Sequence, residues 1–185
     1  MILVADTQFH AGAVPAVYVH RAVQVNSLGA IDDVGTFTLE FNPAFEHVDL
    51  HVLRIVRQGI VLDSLATAAP AFLQRETQLD RSIYTGEVSA SFLIDNVRAG
   101  NIVEYAYTRR GQNPVLRGRF VDSSTFDREW PTEWRRVSLM RPKDRDIRWR
   151  MVSNDPRDQL QPIESERDGM TRLFWEARAM PRVEV

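Results

Sequence analysis

The chain has 185 residues, 44% of them hydrophobic and 26% charged, with a formal net charge of −2. That composition fits a globular domain with a sizeable core and gives no electrostatic reason to expect nucleic acid or an anionic membrane as a partner. Cysteine is absent, which excludes a thiol nucleophile, a disulfide and a Cys-ligated metal within these residues.

The opening MILVADTQFHAGAVPAV lacks the basic start of a signal peptide, and Asp6 and His10 interrupt its apolar run. No apolar stretch reaches the ~18 residues of a membrane-spanning helix. These features leave the compartment open. From there on the dominant period is two. Val17, Val19, Val23 and Val25 alternate with other residues, as do Phe37, Leu39 and Phe41. Ser27-Leu28-Gly29 separates these two runs, and Asn42-Pro43 ends the second. Residues 53–62, LRIVRQGIVL, predict a hairpin turning at Gln58-Gly59, where glycine supplies a positive φ. Residues 70–87 have no clean period and predict a long connection with a helical turn.

Val88, Ala90, Phe92 and Ile94 alternate again, then Val103, Tyr105 and Tyr107. Asp95 to Asn101 predicts a β-turn region joining these runs as neighbouring antiparallel strands. Further strands are expected over 134–140, ending at Pro142, over 146–152, and over 170–177. The polar, proline-bearing residues 153–169 read as an exposed loop or linker. Short strands with such turns indicate an all-β, antiparallel sandwich or barrel, the sandwich being the expected form, with Val19, Val23, Phe37, Leu39, Phe92, Val103 and Tyr105 in its core. The resulting division is a β-sandwich over 1–152, the linker over 153–169, and a last strand and stub over 170–185. That stub is expected to lead into a further domain and to leave an apolar patch near Phe174 or Trp175, exposed or buried by a second copy of the chain.

Few residues carry chemistry. Asp95 and Glu104 flank the turn and could serve as a glycosidase pair, but an aspartate at a turn start more often bonds backbone amides. His47 and His51 have zinc-like spacing, yet on a strand four residues span ~13 Å, too far for one metal ion. No serine-nucleophile or phosphate-loop motif occurs. Trp130, Trp134 and Trp149 could line a peptide- or glycan-binding face, although tryptophans more often fill a core. No cofactor and no metal are expected.

Three segments, FNPAFEHVDLHVLRIVRQGIVLD (41–63), LQRETQLDRSIYTGEVSASFLIDNVRAGNIVEYAYT (73–108) and RGQNPVLRGRF (110–120), resemble the uncharacterised domain that precedes transglutaminase-like domains in bacterial multidomain proteins. The family pattern falls on Asp95, Val97, Gly100, Val103, Glu104, Tyr105 and Tyr107, then on Gly111, Asn113, Pro114, Gly118, Arg119 and Phe120. Asn101 stands where the family usually has aspartate, and the likeness extends over roughly residues 2–180. The resemblance implies an immunoglobulin-like sandwich within a larger, often exported or periplasmic parent. It also implies a Cys-His-Asp catalytic domain C-terminal to this segment as its partner. With no cysteine here, the expected role is a non-catalytic accessory module.

Overall fold

The computed structural model describes residues 1–74, 86–126, 130–152 and 160–182. Among them the chain is mostly β, with antiparallel and mixed sheets. The strands are β1 (Ile2–His10), β2 (Ala16–Gln24), β3 (Thr36–Phe41), β4 (Glu46–Arg57), β5 (Ile60–Asp63), β6 (Ala71–Gln74), β7 (Val88–Leu93), β8 (Ile102–Gly111), β9 (Thr132–Pro142), β10 (Ile163–Arg167) and β11 (Met170–Met180). One short helix, α1 (Ala30–Val34), joins β2 to β3. Eight strands form a sheet in the order β10-β11-β9-β1-β2-β8-β4-β5, and three form a second in the order β3-β7-β6.

Several expectations change. β1 pairs with β9 in parallel, so the larger sheet is mixed rather than purely antiparallel. The eight-to-three division with this parallel seam does not establish an immunoglobulin-like sandwich. β7 and β8 are not neighbours: β7 lies in the small sheet and β8 in the large one. The turn between them therefore carries the chain from one layer to the other. Residues 163–167, expected in a linker, form β10 against β11 with every side chain exposed. The strand expected over 146–152 is irregular chain. Much of the connection expected over 70–87, and residues 153–159 of the expected linker, lie outside the described residues.

The turns follow the sequence. Gln58 and Gly59 both take positive φ, +51° and +80°, which fits the right-handed twist of the β4–β5 hairpin. Gly100 has φ +86°, and its N–H donates to the Val25 carbonyl at 2.7 Å. Asn101 is buried; its side-chain oxygen accepts from the Arg98 amide (3.0 Å) and from Arg57 Nη2 (3.1 Å). A Cβ on Gly100 would meet nothing within 4 Å, so only its backbone angle resists substitution. Gly100→Val is expected to cost ~1 kcal/mol or more, read as a lower urea midpoint with an unchanged slope.

Alternation gives the large sheet two faces. Cross-strand register sets Leu53, Tyr105, Arg21, Ala5, Arg135 and Ala177 in one row on its inner face. The small sheet covers one end of that face. Phe37 stacks on Tyr105 with centroids 4.0 Å apart and also contacts Phe92, within a cluster holding Leu39, Leu53, Ile55 and Val103. A second cluster, built on Phe9, Val137, Leu139, Leu173 and Trp175, is covered by Phe120, Phe126, Ile147 and Met151. Of the expected core, Phe37, Leu39, Phe92 and Val103 are buried. Val19 and Val23 are half-buried, because β2 runs between the two clusters, and Tyr105 on β8 is half-buried at the edge of the first. Leu173 and Trp175 are buried in this chain's own core, which corrects the expected exposed patch at Trp175.

Candidate functional site

The outer face of the large sheet carries a band of polar and charged side chains. Register places Val52, Ala106, His20, Asp6, Arg136 and Glu176 in one row, with Arg54 and Glu104 side by side in the next. All four histidines lie on this face. His10 and His20 share the alternation of Asp6 on β1 and of Tyr18 on β2, and His47 that of Asp49 on β4. A register shift between Leu50 and Val52 leaves His51 without a strand partner. There it bonds Thr108 Oγ1 at 2.7 Å and stacks on Tyr18. The His51 position thus depends on a β-bulge. His47 pairs with Asp49 at 3.1 Å. Among the described residues no group of His, Asp and Glu could hold a metal ion.

Glu104 is the hub of the band. Arg54 Nε donates to its Oε2 at 2.7 Å, and His20 Nε2 lies 2.9 Å from its Oε1. Burial alone pushes the Glu104 carboxyl up. The hydrogen bonds from Arg54 and His20 outweigh that and hold it below the usual range. With Glu104 ionised, the imidazole proton facing it must sit on Nε2. Asp6 is 2% exposed, and its carboxylate accepts from Arg136 Nη2 and from Gln8 Nε2 (2.8 Å). Burial, then the charges of Asp6 and Glu104, raise the Tyr18 phenol. Beyond this row Trp134 lies between two guanidiniums, Arg136 at 4.3 Å and Arg178 at 4.7 Å from its ring centre.

A group whose folded pKa is depressed stabilises above its unfolded pKa and loses that contribution as pH falls. Glu104 should therefore help most above the ordinary glutamate value of 4.5. The melting-temperature advantage of the wild type over Glu104→Gln is expected at pH 7 and should shrink as pH falls below 4.5. An advantage that grows on acidification would contradict the sign.

The other candidates do not converge. Asp95 is exposed and shares no hydrogen bond or ion pair with Glu104, whose two oxygens are already taken. Trp134 points to the outer face. Trp149 packs edge-on against Trp175, which belongs to the inner-face cluster, and remains 41% exposed. Trp130 lies at the end of the sheet, lining a hollow of about 550 Å³ with Asn26, Ala30 and Asp33. The three tryptophans form no row.

Sequence reasoning missed the inner seam along β2. At its upper end a crevice of about 380 Å³ is lined by Val17, Leu39, Glu40, Val48, Tyr107 and Arg109, among others. Arg109 lies 3.3 Å from Glu46 and 3.6 Å from Asp122; burial raises the Asp122 carboxyl despite that neighbour. Further down, Arg135 is 3% exposed. Its donors reach the carbonyls of Ala5 (2.9 Å), Arg136 (2.9 Å) and Thr125 (2.9 Å), and the hydroxyls of Thr7 (3.2 Å) and Ser124 (2.5 Å). Burial, helped by the nearby charge of Arg21 and opposed by Asp6, lowers its pKa to about 10. Alternation along β2 and β9 could have put both arginines on the apolar face. Only the pairing of both strands with β1 brings them together.

These features define a mostly β domain whose candidate chemistry is spread over a sheet face and a seam. Residues 16–184 match DUF3857, a domain of unknown function with a solved structure, and the chain belongs to that family. No curated protein matches the chain. The crystal structure of a "putative protease" from Parabacteroides distasonis ATCC 8503 is similar in fold, with a TM-score of 0.79 and 14% identity, over 99% of this chain and 36% of that one. The chain thus spans about a third of that protein's length. At such identity the likeness concerns the fold alone.

Proposed function

We propose that this chain is a non-catalytic accessory module of a larger bacterial transglutaminase-like protein, and that it docks or positions the catalytic domain or its substrate. The observation that carries this reading is that the whole fold recurs as 36% of a longer chain, one described as a protease. The sequence adds support, since with no cysteine a thiol nucleophile must come from elsewhere. The docking surface in this reading is the outer face around Tyr18, His20, His51 and Glu104. Its ion pairs are half-covered by their own long side chains, and a partner could cover them without a new hydrophobic core. The scattered tryptophans and the separated Asp95 and Glu104 lend nothing to the glycan-binding and glycosidase alternatives.

The test is chemical footprinting of His20, His51 and Tyr18 in the isolated chain and in the protein encoded by the complete reading frame. Labelling is expected to fall severalfold in the longer protein, while His47, the most exposed of the ion-paired histidines, changes less. Equal labelling in both, or a reading frame that stops after Val185, would sink the proposal.

A further inference from the structure

Arg21 and Arg135 face one another across Ala5, on alternate strands of the same inner-face row. The strands carrying them lie two strand spacings apart, ~10 Å, and an alanine between leaves room above it for two long side chains to converge. Neither arginine has a carboxylate partner among the described residues. Arg135 is almost wholly buried and spends its donors on neutral oxygens. Glu133, two residues before Arg135 and on the same side of β9, is exposed and bonds neither arginine, and Asp6, next to Ala5, points to the opposite face of the sheet and is held by Arg136 and Gln8. Arg21 is half-buried. Its contact is with the Tyr105 hydroxyl, and its Nη1 is shut away from solvent without a well-formed hydrogen bond.

Buried charges in proteins are ordinarily paired, because an uncompensated one costs several kcal/mol. Here two positive charges share one seam and repel, and the described carboxylates of that face meet neither: Glu133 is exposed, and Glu46 and Asp122 lie against Arg109 at the upper end. On the Arg21 side the seam is only partly covered: β2 presents the half-buried Val17, Val19, Arg21 and Val23 between the two apolar clusters.

We propose that this seam is a carboxylate-binding site in which Arg21 grips the anion and Arg135, fixed beneath it, supplies a second positive charge. The planar fork of a guanidinium matches a carboxylate, and binding there would relieve the repulsion between the arginines. The carboxylate could be carried by a small free acid or by an acidic residue of an extended peptide lying along β2. The two sources share one chemistry and differ only in what surrounds the anion. This inference stands apart from the accessory-module reading and survives that reading's failure.

The test titrates the isolated chain with succinate, and separately with N-acetyl-Gly-Glu-Gly-amide, at constant ionic strength, following the Arg21 Nε–H NMR signal and the melting temperature. A saturable shift of that signal with a rise in melting temperature is expected for at least one ligand. Arg21→Gln should weaken the tighter ligand by about tenfold or more, and Arg21→Lys, which keeps the charge but loses the fork, should fall between. Tighter binding of the peptide would identify a peptide partner, and tighter binding of succinate a small acid. With chloride alone, Arg21→Gln should be no less stable than wild type, because it removes a like charge. A merely structural Arg21 predicts the reverse: lost stability and an unaltered ligand response. Absence of any saturable shift, or equal affinity for wild type and Arg21→Gln, would overturn the proposal, and the wild-type signal remains readable if a variant fails to fold.

Discussion

Replacing Gly111 with alanine is expected to lower stability by about 3–4 kcal/mol. Gly111 ends β8 with φ +112°, an angle that side chains with a Cβ rarely adopt. Its N–H donates to the Pro15 carbonyl at 2.9 Å, and it lies opposite Glu46 at the start of β4. An added Cβ would sit 2.0 Å from the Phe45 carbonyl oxygen and 3.0 Å from the Glu46 Cα. Both are backbone atoms, so no rotamer change relieves the clash. β2, β8 and β4 meet there, and displacing one moves all three. Gly59→Ala is the control: φ is +80°, but nothing lies within 4 Å of its would-be Cβ, so the cost should be ~1 kcal/mol. Chemical denaturation of both variants checks the difference. A Gly111→Ala loss no larger than that of Gly59→Ala would show that the β4 entry shifts cheaply.

Much of the framework was legible because its strands are half-covered and alternate. Phe37-Thr38-Leu39 and Val103-Glu104-Tyr105 each put one face in a core and one outside. What failed has specific causes. In β1, the polar residues Asp6 and Thr7 follow Ala5 and all three are buried, so burial on both faces erased the alternation. β10, IESER, is wholly exposed and owes its existence to pairing with β11; no side-chain pattern marks it. Ile147, Trp149 and Met151 alternate like a strand, yet they serve as a cover over the second cluster. A period of two is shared by any extended chain lying on an apolar surface. The link from β7 to β8 read as a hairpin because its turn residues fit one, while the change of sheet is decided by β3 pairing with β7. The site followed the same logic. The glutamate was legible as outward-facing, but its partners Arg54 and His20 come from two other strands. Their meeting is a matter of register, which short strands do not announce.

Arg135 provides the sharpest test of the inner seam as a structural element. It is held beneath residues 124–126, whose Ser124 hydroxyl and Thr125 carbonyl it bonds, and its guanidinium lies 5.2 Å from the Phe126 ring centre. Arg145 fixes the other end of the same covering segment through the carbonyls of Ala11 (3.0 Å), Gly12 (3.0 Å) and Gly118 (2.6 Å). Truncation of Arg135 to alanine removes several charge-assisted hydrogen bonds, leaves acceptors without a donor and opens a cavity. Against this, it removes a buried charge that repels Arg21. Charge-assisted hydrogen bonds contribute about 1.5–3 kcal/mol each but are not additive, and relief of one desolvated charge offsets part of that. The hydrogen bonds and packing should win, so Arg135→Ala is expected to cost about 3–4 kcal/mol. Arg135→Met keeps most of the volume and also discards the charge. It should cost about 1–2 kcal/mol, because unpaired acceptors at the partly exposed Thr125 end can turn to water. Both variants should speed hydrogen exchange in residues 119–126 while leaving β4 and β8 protected, which distinguishes release of the cover from global unfolding. If methionine proves as damaging as alanine, the fork of hydrogen bonds, and not the filled space, is what holds the cover down.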